Sequence, residues 1–240
     1  IKTFAGVPEG NNLLVNTGSG SGEQNVFGDL FIDRAEEHGL DAGGWGWAAA
    51  VDDFTNDGHL DVVHGTSSEV PFEPYDRFRT PQVWQGTADS WEAVDERALG
   101  LEEHQARGMG RLDFDNDGAL DFAIATTPAT HLGGGQPTPF PLYENQLESD
   151  QYLQLFVRAP DKIDRNAAVV IETDSRTILR RPNARAGFLS QDSRLIHVGL
   201  ANEELQEVRV HWPDGTRVTY DDLEAGTRYI LAPNSTERVD

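Results

Sequence analysis

The chain has 240 residues with 41 acidic and 19 basic side chains, which gives a formal net charge of −22. A surface with this charge repels nucleic acids and anionic membranes, because binding to either requires a basic surface. No apolar run is long enough to cross a bilayer as a helix. The absence of cysteine excludes disulfides and thiolate metal sites.

Lysine is nearly absent, since Lys2 and Lys162 are the only two in the chain. An acidic chain with so few lysines is typical of a protein that works in concentrated salt, where self-repulsion is screened. The alternative is a GC-rich genome that favours arginine over lysine, combined with an ordinary acidic surface. We favour the first interpretation and predict a salt-adapted prokaryote as the source.

An internal repeat organises the N-terminal part of the chain. The segments "NNLLVNTG" (11–18), "FIDRAEEHGL" (31–40) and "GWGWAAAVDDFTNDGHLDVV" (44–63) return as "PQVWQGTA" (81–88), "WEAVDERALGL" (91–101) and "GMGRLDFDNDGALDFAI" (108–124). A third copy begins with "FPLYENQL" (140–147) and then stops. The offset of 60 residues and about four strand-like segments per unit predict blades of a β-propeller.

A propeller needs about four to eight blades to close, and this sequence supplies about two. We therefore expect further blades, either on the same, longer chain or on a partner chain. The chain begins at Ile1, which is consistent with a removed leader or with a sequence that is part of a longer protein.

After about residue 148 the repeat ends and short strands follow at regular spacing. Six are predicted, at "QYLQLFVRA", "AAVVIET", "RTILRRP", "LIHVGL", "EVRVHW" and "RVTYDDL". In "VRVHWPDGTRVTY" the alternation of apolar residues around Pro-Asp-Gly predicts a β-hairpin. The predicted fold is all-β, with propeller blades over 1–147 and a small sandwich-like or barrel-like domain over 148–240.

Both repeats carry an acidic loop in which alternate residues offer an oxygen and a glycine allows the chain to reverse. Carboxylates that converge without a cation would repel one another and raise their own pKa values. Oxygen ligands favour Ca²⁺, so we predict two calcium ions, with neutral Thr55 marking the weaker site. The candidate ligands are Asp53, Thr55, Asp57, the His59 carbonyl and Asp61 in the first loop, and Asp113, Asp115, Asp117, the Ala119 carbonyl and Asp121 in the second.

The acidic stretches have two other interpretations. A helix–loop–helix calcium loop would require glutamate at its twelfth position, where this chain has His64 and Ile124. The two stretches could also be plain Asp/Asn/Gly turns between strands.

The loops, each followed by an apolar strand, resemble FG-GAP/VCBS repeats, the calcium-loop blades of integrin-α-like propellers. The C-terminal region resembles an ASPIC/UnbV domain, most clearly in "GFLSQDSRLIHVGL" (187–200) and "VRVHWPDGT" (208–216). Their succession resembles the cartilage-acidic-protein-like family. That resemblance implies an extracellular, calcium-binding role in adhesion or interaction, without a settled chemistry.

The leading hypothesis is a secreted or cell-surface module for adhesion or assembly, without catalysis of its own, that binds a protein or glycan. No nucleophile stands in a recognised elbow, and the histidines show no metal-ligand spacing. The alternatives are part of a propeller polysaccharide lyase or hydrolase, an accessory subunit of a larger enzyme, or a structural subunit of a split propeller. A basic cluster could bind an anionic partner, although we favour a solvated strand face that balances nearby acids; it comprises Arg176, Arg180, Arg181 and Arg185.

Overall fold

The computed structural model of the chain describes residues 12–16, 31–41, 43, 46–66, 80–102, 104–127, 140–159, 166–182, 187–188 and 190–239. These residues form seventeen β-strands and no α-helix. The predicted all-β fold is therefore confirmed. None of the described residues forms a helix long and apolar enough to span a membrane.

Three small antiparallel sheets lie in the N-terminal part. The first pairs β1 (Leu14–Asn16) with β2 (Phe31–Asp33). The second has the order β3 (Gly46–Asp52), β4 (Asp61–Thr66), β5 (Gln82–Gly86) and β6 (Trp91–Val94). The third has the order β7 (Ala106–Leu112), β8 (Asp121–Thr126) and β9 (Leu142–Tyr143). This is a propeller-like arrangement, in which consecutive strands of a blade are neighbours.

The blades are out of phase with the sequence repeat. The repeat places β5 and β6 at the start of its second copy, but in the structure they complete the sheet begun by β3 and β4 at the end of the first copy. Each blade therefore takes its inner strands from one repeat and its outer strands from the next. Because successive repeats share a sheet, neighbouring blades are held together by the chain itself.

The sheet that begins with β3 and the sheet that begins with β7 pack against each other through small and apolar side chains. Ala48 and Ala50 of β3 lie against Met109 of β7 and Ile124 of β8 in one buried cluster. The alanines allow β3 and β7, the first strands of adjacent sheets, to lie next to each other. As a result the loops that follow β3 and β7 emerge close together.

The C-terminal domain is a sandwich of two four-stranded sheets. One has the order β13 (Ile196–Gly199), β10 (Tyr152–Val157), β16 (Thr227–Ala232) and β17 (Ser235–Val239); the other has β12 (Thr177–Arg180), β11 (Ala168–Thr173), β14 (Leu205–His211) and β15 (Arg217–Tyr220). Residues from both sheets share one core. All six predicted strands and the β14–β15 hairpin are present, with Val208 opposite Tyr220 and Val210 opposite Val218; β16 and β17 were not predicted.

Residues 188 and 190–192 of the C-terminal domain lie beside the strands β3 and β7. Phe188 packs against Trp47 with ring centroids 5.0 Å apart, and the backbone N–H of Arg111 donates to the Asp192 carboxylate at 3.1 Å. A Cβ added at Gly108 would lie 3.3 Å from the Phe188 carbonyl oxygen. These residues belong to the first half of the "GFLSQDSRLIHVGL" stretch, and their contacts connect the C-terminal domain to the propeller-like part.

Candidate metal centre at the domain interface

The two acidic loops share one backbone conformation. Each contains an asparagine and a glycine with positive φ: Asn56 (57°) and Gly58 (87°) in the first loop, Asn116 (65°) and Gly118 (91°) in the second. Asparagine and glycine tolerate this left-handed region, which most L-residues avoid. The sequence N-D-G therefore dictates the sharp reversal that turns the first carboxylate of each loop toward the loop's own backbone.

The second loop brings three carboxylates together. Oxygens of Asp113, Asp115 and Asp117 lie within 4.8 Å of one another, a group that could hold a metal ion. The pKa of Asp117 is raised, first by desolvation and then by the neighbouring charges of Asp115 and Asp113. A bound cation would relieve this repulsion, since an opposite charge favours the ionised carboxylate.

Asp113 supplies a second indication of a cation. Its side chain is fully buried, and its Oδ1 has no hydrogen-bond partner within the described part of the chain. A buried polar atom left unpaired costs about 1–3 kcal/mol, and more when it is charged. Its other oxygen, Oδ2, accepts from the backbone N–H of Gly118 at 3.1 Å. The residues of this loop therefore fit a cation.

In the first loop, both oxygens of the first carboxylate accept hydrogen bonds from the loop's own backbone. Among the described residues its carboxylates do not form a comparable group of three. Asp53 Oδ1 accepts from the N–H of Asp57, and Oδ2 accepts from the N–H of Gly58. Burial raises the pKa of Asp53 to about 7, and the nearby carboxylates of Asp61 and Asp57 add to the effect. The hydroxyl of Thr55 donates to Asp61 at 3.2 Å. An ion in this loop stays a prediction.

The ninth-position aspartates join each loop to the end of the third strand of its blade or to the residues that directly follow it. Asp61 Oδ1 accepts from the N–H of Gly86, and Asp121 Oδ1 accepts from the N–H of Asn145, both at 2.8 Å. Their Oδ2 atoms accept from the N–H groups of Phe54 and Phe114. The structure thus gives Asp61 and Asp121 a role in holding strands together, and their role as metal ligands stays a prediction. The role of the His59 and Ala119 carbonyls as metal ligands also stays a prediction. The backbone N–H groups of these two residues donate to Asp57 and Asp117.

The C-terminal domain docks directly on the second loop. Arg228 of β16 forms an ion pair with Asp113 at 2.8 Å, and Gln154 of β10 donates to the same Asp113 oxygen at 2.8 Å. Arg228 also donates to Gln154 at 2.7 Å and to the side chain of Asn116. The carboxylate that belongs to the metal cluster is therefore also the anchor of the domain interface.

The same domain docks on the first loop through other residues. The N–H of Gly199 donates to Asp53 Oδ2 at 2.9 Å, and Nη1 of Arg176 donates to the Gly58 carbonyl at 2.8 Å. His197 lies 2.7 Å from the Asn56 amide oxygen through its Nε2. Burial lowers the pKa of His197 to about 3, with the charges of nearby arginines contributing. The amide N–H of Gln154 lies 3.2 Å from His197 Nδ1, so Nδ1 accepts and the Nε2–H of the neutral ring donates to Asn56.

Sequence reasoning missed the interface residues Gln154, Arg176, His197, Gly199 and Arg228. They are separated from the loops by as many as 146 positions, so no local pattern connects them. The available signal was the "SRLIHVGL" stretch, which holds both His197 and Gly199. Of the predicted basic cluster, Arg176 pairs with Glu203 at 2.8 Å, and Arg185 lies outside the described residues.

Comparison with known proteins gives one family match and two relatives. Residues 161–238 match the family described as ASPIC and UnbV. Over 172 residues, 70% of this chain, the sequence is 30% identical to cartilage acidic protein 1 of Mus musculus and 31% identical to that of Homo sapiens. The aligned part is 25% of each relative, so the chain spans about a quarter of their length. The strand β10, which precedes the family match, is already paired within the C-terminal sandwich.

Proposed function

Because the chain is homologous to cartilage acidic protein 1 and carries an ASPIC/UnbV domain next to propeller-like blades, we propose that it is a calcium-binding interaction or assembly module that works outside the cell without catalysis of its own. The observation that carries the proposal is the buried, unpaired Oδ1 of Asp113 beside Asp115 and Asp117. A cation there would neutralise carboxylates that already lie side by side.

Calcium fits this donor set better than other biological cations. The candidate ligands are oxygens on a loop that has no histidine or cysteine, which disfavours zinc and copper. Calcium accepts six to eight oxygens in flexible geometry, whereas magnesium keeps several of its waters. Asp115 and Asp117 are exposed, so water can complete the coordination.

The role in interaction rests on what the ion would stabilise. The loop binds the cation on one side and the C-terminal domain on the other, so calcium would hold two domains in one arrangement. A fixed arrangement suits a module that presents a surface to a protein, a glycan or further blades. The proposed extracellular location is supported by the relatives, which are named for cartilage, a tissue rich in extracellular matrix.

The test is calcium-dependent stability of the wild type and of the double variant Asp115→Asn/Asp117→Asn. Both substituted residues are exposed, so the variant should fold. At a free calcium concentration about 100 times Kd, the wild type should gain about 2.7 kcal/mol of unfolding free energy, and the variant should gain far less. Differential scanning calorimetry measures the gain in stability with calcium, and isothermal titration calorimetry measures the Kd for calcium.

The matched control is Asp221→Asn/Asp222→Asn, which removes the same charge from exposed positions of the C-terminal domain. It should respond to calcium as the wild type does. Unchanged melting temperature and protease resistance after chelation of the wild type would contradict the proposal. So would a response to magnesium equal to the response to calcium.

A further inference from the structure

A cavity lies between the two domains, and none of its lining residues belongs to the cluster of Asp113, Asp115 and Asp117. It has a volume of about 290 Å³. The ends of β3 and β7 form one wall, and the C-terminal domain forms the other through Leu179–Arg181 and Leu195–His197. Neither domain makes this cavity alone, because each contributes one wall.

A buried arginine lines the cavity. The side chain of Arg111, at the end of β7, is only 7% exposed. Its Nε lies 2.9 Å from Asp52 Oδ2, and its Nη2 donates to the Leu195 carbonyl at 3.2 Å. Within the described part of the chain, neither its Nη1 nor its Nε donates a well-aligned hydrogen bond, although Nε forms the ion pair with Asp52. A guanidinium offers five N–H donors in a fixed fork. A buried guanidinium with an unpaired N–H group destabilises the fold unless a ligand supplies an acceptor.

The charges around the cavity are mainly positive. Arg180 and Arg181 line it together with Arg111, and Asp52 is the one acidic residue among the described lining residues. Asp192 is near, 3.9 Å from the Arg111 Nε, but is outside the lining. The chain has a net charge of −22, so a cavity lined by three arginines has a charge opposite to that of the molecule as a whole. A solvated strand face would explain Arg181, which is exposed, but not the buried Arg111.

We infer that this cavity binds a single small oxyanion, a sulfate or carboxylate group, held by Arg111 from the propeller side and by Arg180 and Arg181 from the C-terminal domain. Arginine forks match the geometry of planar and tetrahedral oxyanions, and such charge-assisted hydrogen bonds are about twice as strong as neutral ones. The volume suits a free anion or one acidic sugar unit. Since the walls come from both domains, the bound anion would add a second contact between them.

The test is titration of the 15N-labelled protein with sodium sulfate, sodium glucuronate or glucose, at ionic strength held constant with sodium chloride. Saturable shifts are expected for the amides of Arg181 and Ile196 with an anion and not with glucose. Shifts with sulfate alone would identify a free inorganic anion as the ligand, and shifts with glucuronate would identify an acidic sugar.

Two variants make the test specific. Arg181→Gln removes an exposed arginine of the lining, so it should fold and bind at least about tenfold more weakly. Arg97→Gln removes an exposed arginine from the turn after β6 and should bind as the wild type does. The proposal is overturned if neither anion produces saturable shifts beyond chloride, or if Arg181→Gln binds as tightly as the wild type. Since the proposed calcium site shares no residue with this cavity, failure here leaves the calcium titration unaffected.

Discussion

At the scale of single residues, Asp113 has two tasks. Its Oδ2 accepts from Gly118, Gln154 and Arg228, while its Oδ1 remains for the proposed cation. The side chain of Arg228 is 14% exposed and that of Asp113 is 0% exposed. Removing one partner of such a buried pair leaves a charge without compensation, which is the costly change for buried ion pairs.

We expect Arg228→Met to lower the free energy of unfolding by about 3 kcal/mol in the presence of a calcium chelator. With saturating calcium the loss should be smaller, because the ion compensates the charge on Asp113. Urea unfolding followed by fluorescence measures both values.

The matched control for this prediction is Arg238→Met, which breaks an exposed pair with Glu224 and should cost about 0–1 kcal/mol. Equal losses for the two variants would show that the pair between Arg228 and Asp113 does not hold the domains together.

At the scale of elements, each acidic loop acts as a docking surface for the C-terminal domain. A Cβ at Gly58 would overlap the guanidinium of Arg176, and one at Gly118 would overlap the ring of Tyr152. Both glycines also have positive φ. The glycine at the sixth loop position therefore serves the turn, as the sequence predicted, and also gives the other domain room to approach.

Gly118→Ala separates these two roles when it is compared with Gly215→Ala. Both glycines have φ of +91°, but nothing lies within 4 Å of a Cβ at Gly215. Gly215→Ala should cost about 1–2 kcal/mol of backbone strain. Gly118→Ala should cost more, because the Tyr152 ring must also move. Equal unfolding free energies for the two variants, measured in urea, would contradict this role of Gly118.

Six of the strands in the C-terminal domain were predicted from their apolar patterns, but β16 and β17 were missed, although these two form a hairpin in which Ala232 pairs with Ser235. The β14–β15 hairpin was predicted, because alternation and a Pro-Asp-Gly turn lie within one short stretch. The strand β16 pairs in parallel with β10, so that Leu153 faces Thr227. A parallel pair between distant segments leaves no turn signal between them, although the burial of Thr227, Tyr229 and Leu231 alternates as a strand requires.

At the scale of the whole molecule, the net charge of −22 lowers the stability of the folded state, because the exposed carboxylates repel one another. We expect the melting temperature, measured in chelator to exclude calcium, to rise as KCl increases from about 0.1 M to about 1 M. Over that range the screening length falls from about 10 Å to about 3 Å, so repulsion between exposed carboxylates decreases.

The reference for this measurement is the same protein in about 0.1 M KCl. A melting temperature that is unchanged or lower in about 1 M KCl would contradict the salt-adapted interpretation. The buried pair of Arg228 and Asp113 should respond little, because buried charges are screened less than exposed ones.

The sequence by itself determined the all-β class, the size of the blades and the form of the acidic loops. These features depend on alternation and on hydrogen bonds that close within a few residues, such as Gly118 to Asp113. Only the tertiary structure decided which carboxylate keeps an unpaired oxygen, because that depends on Gln154 and Arg228 arriving from the other domain. It also decided that Arg111 and Arg181 share a cavity, since burial and charge there are set by contacts between distant parts of the chain.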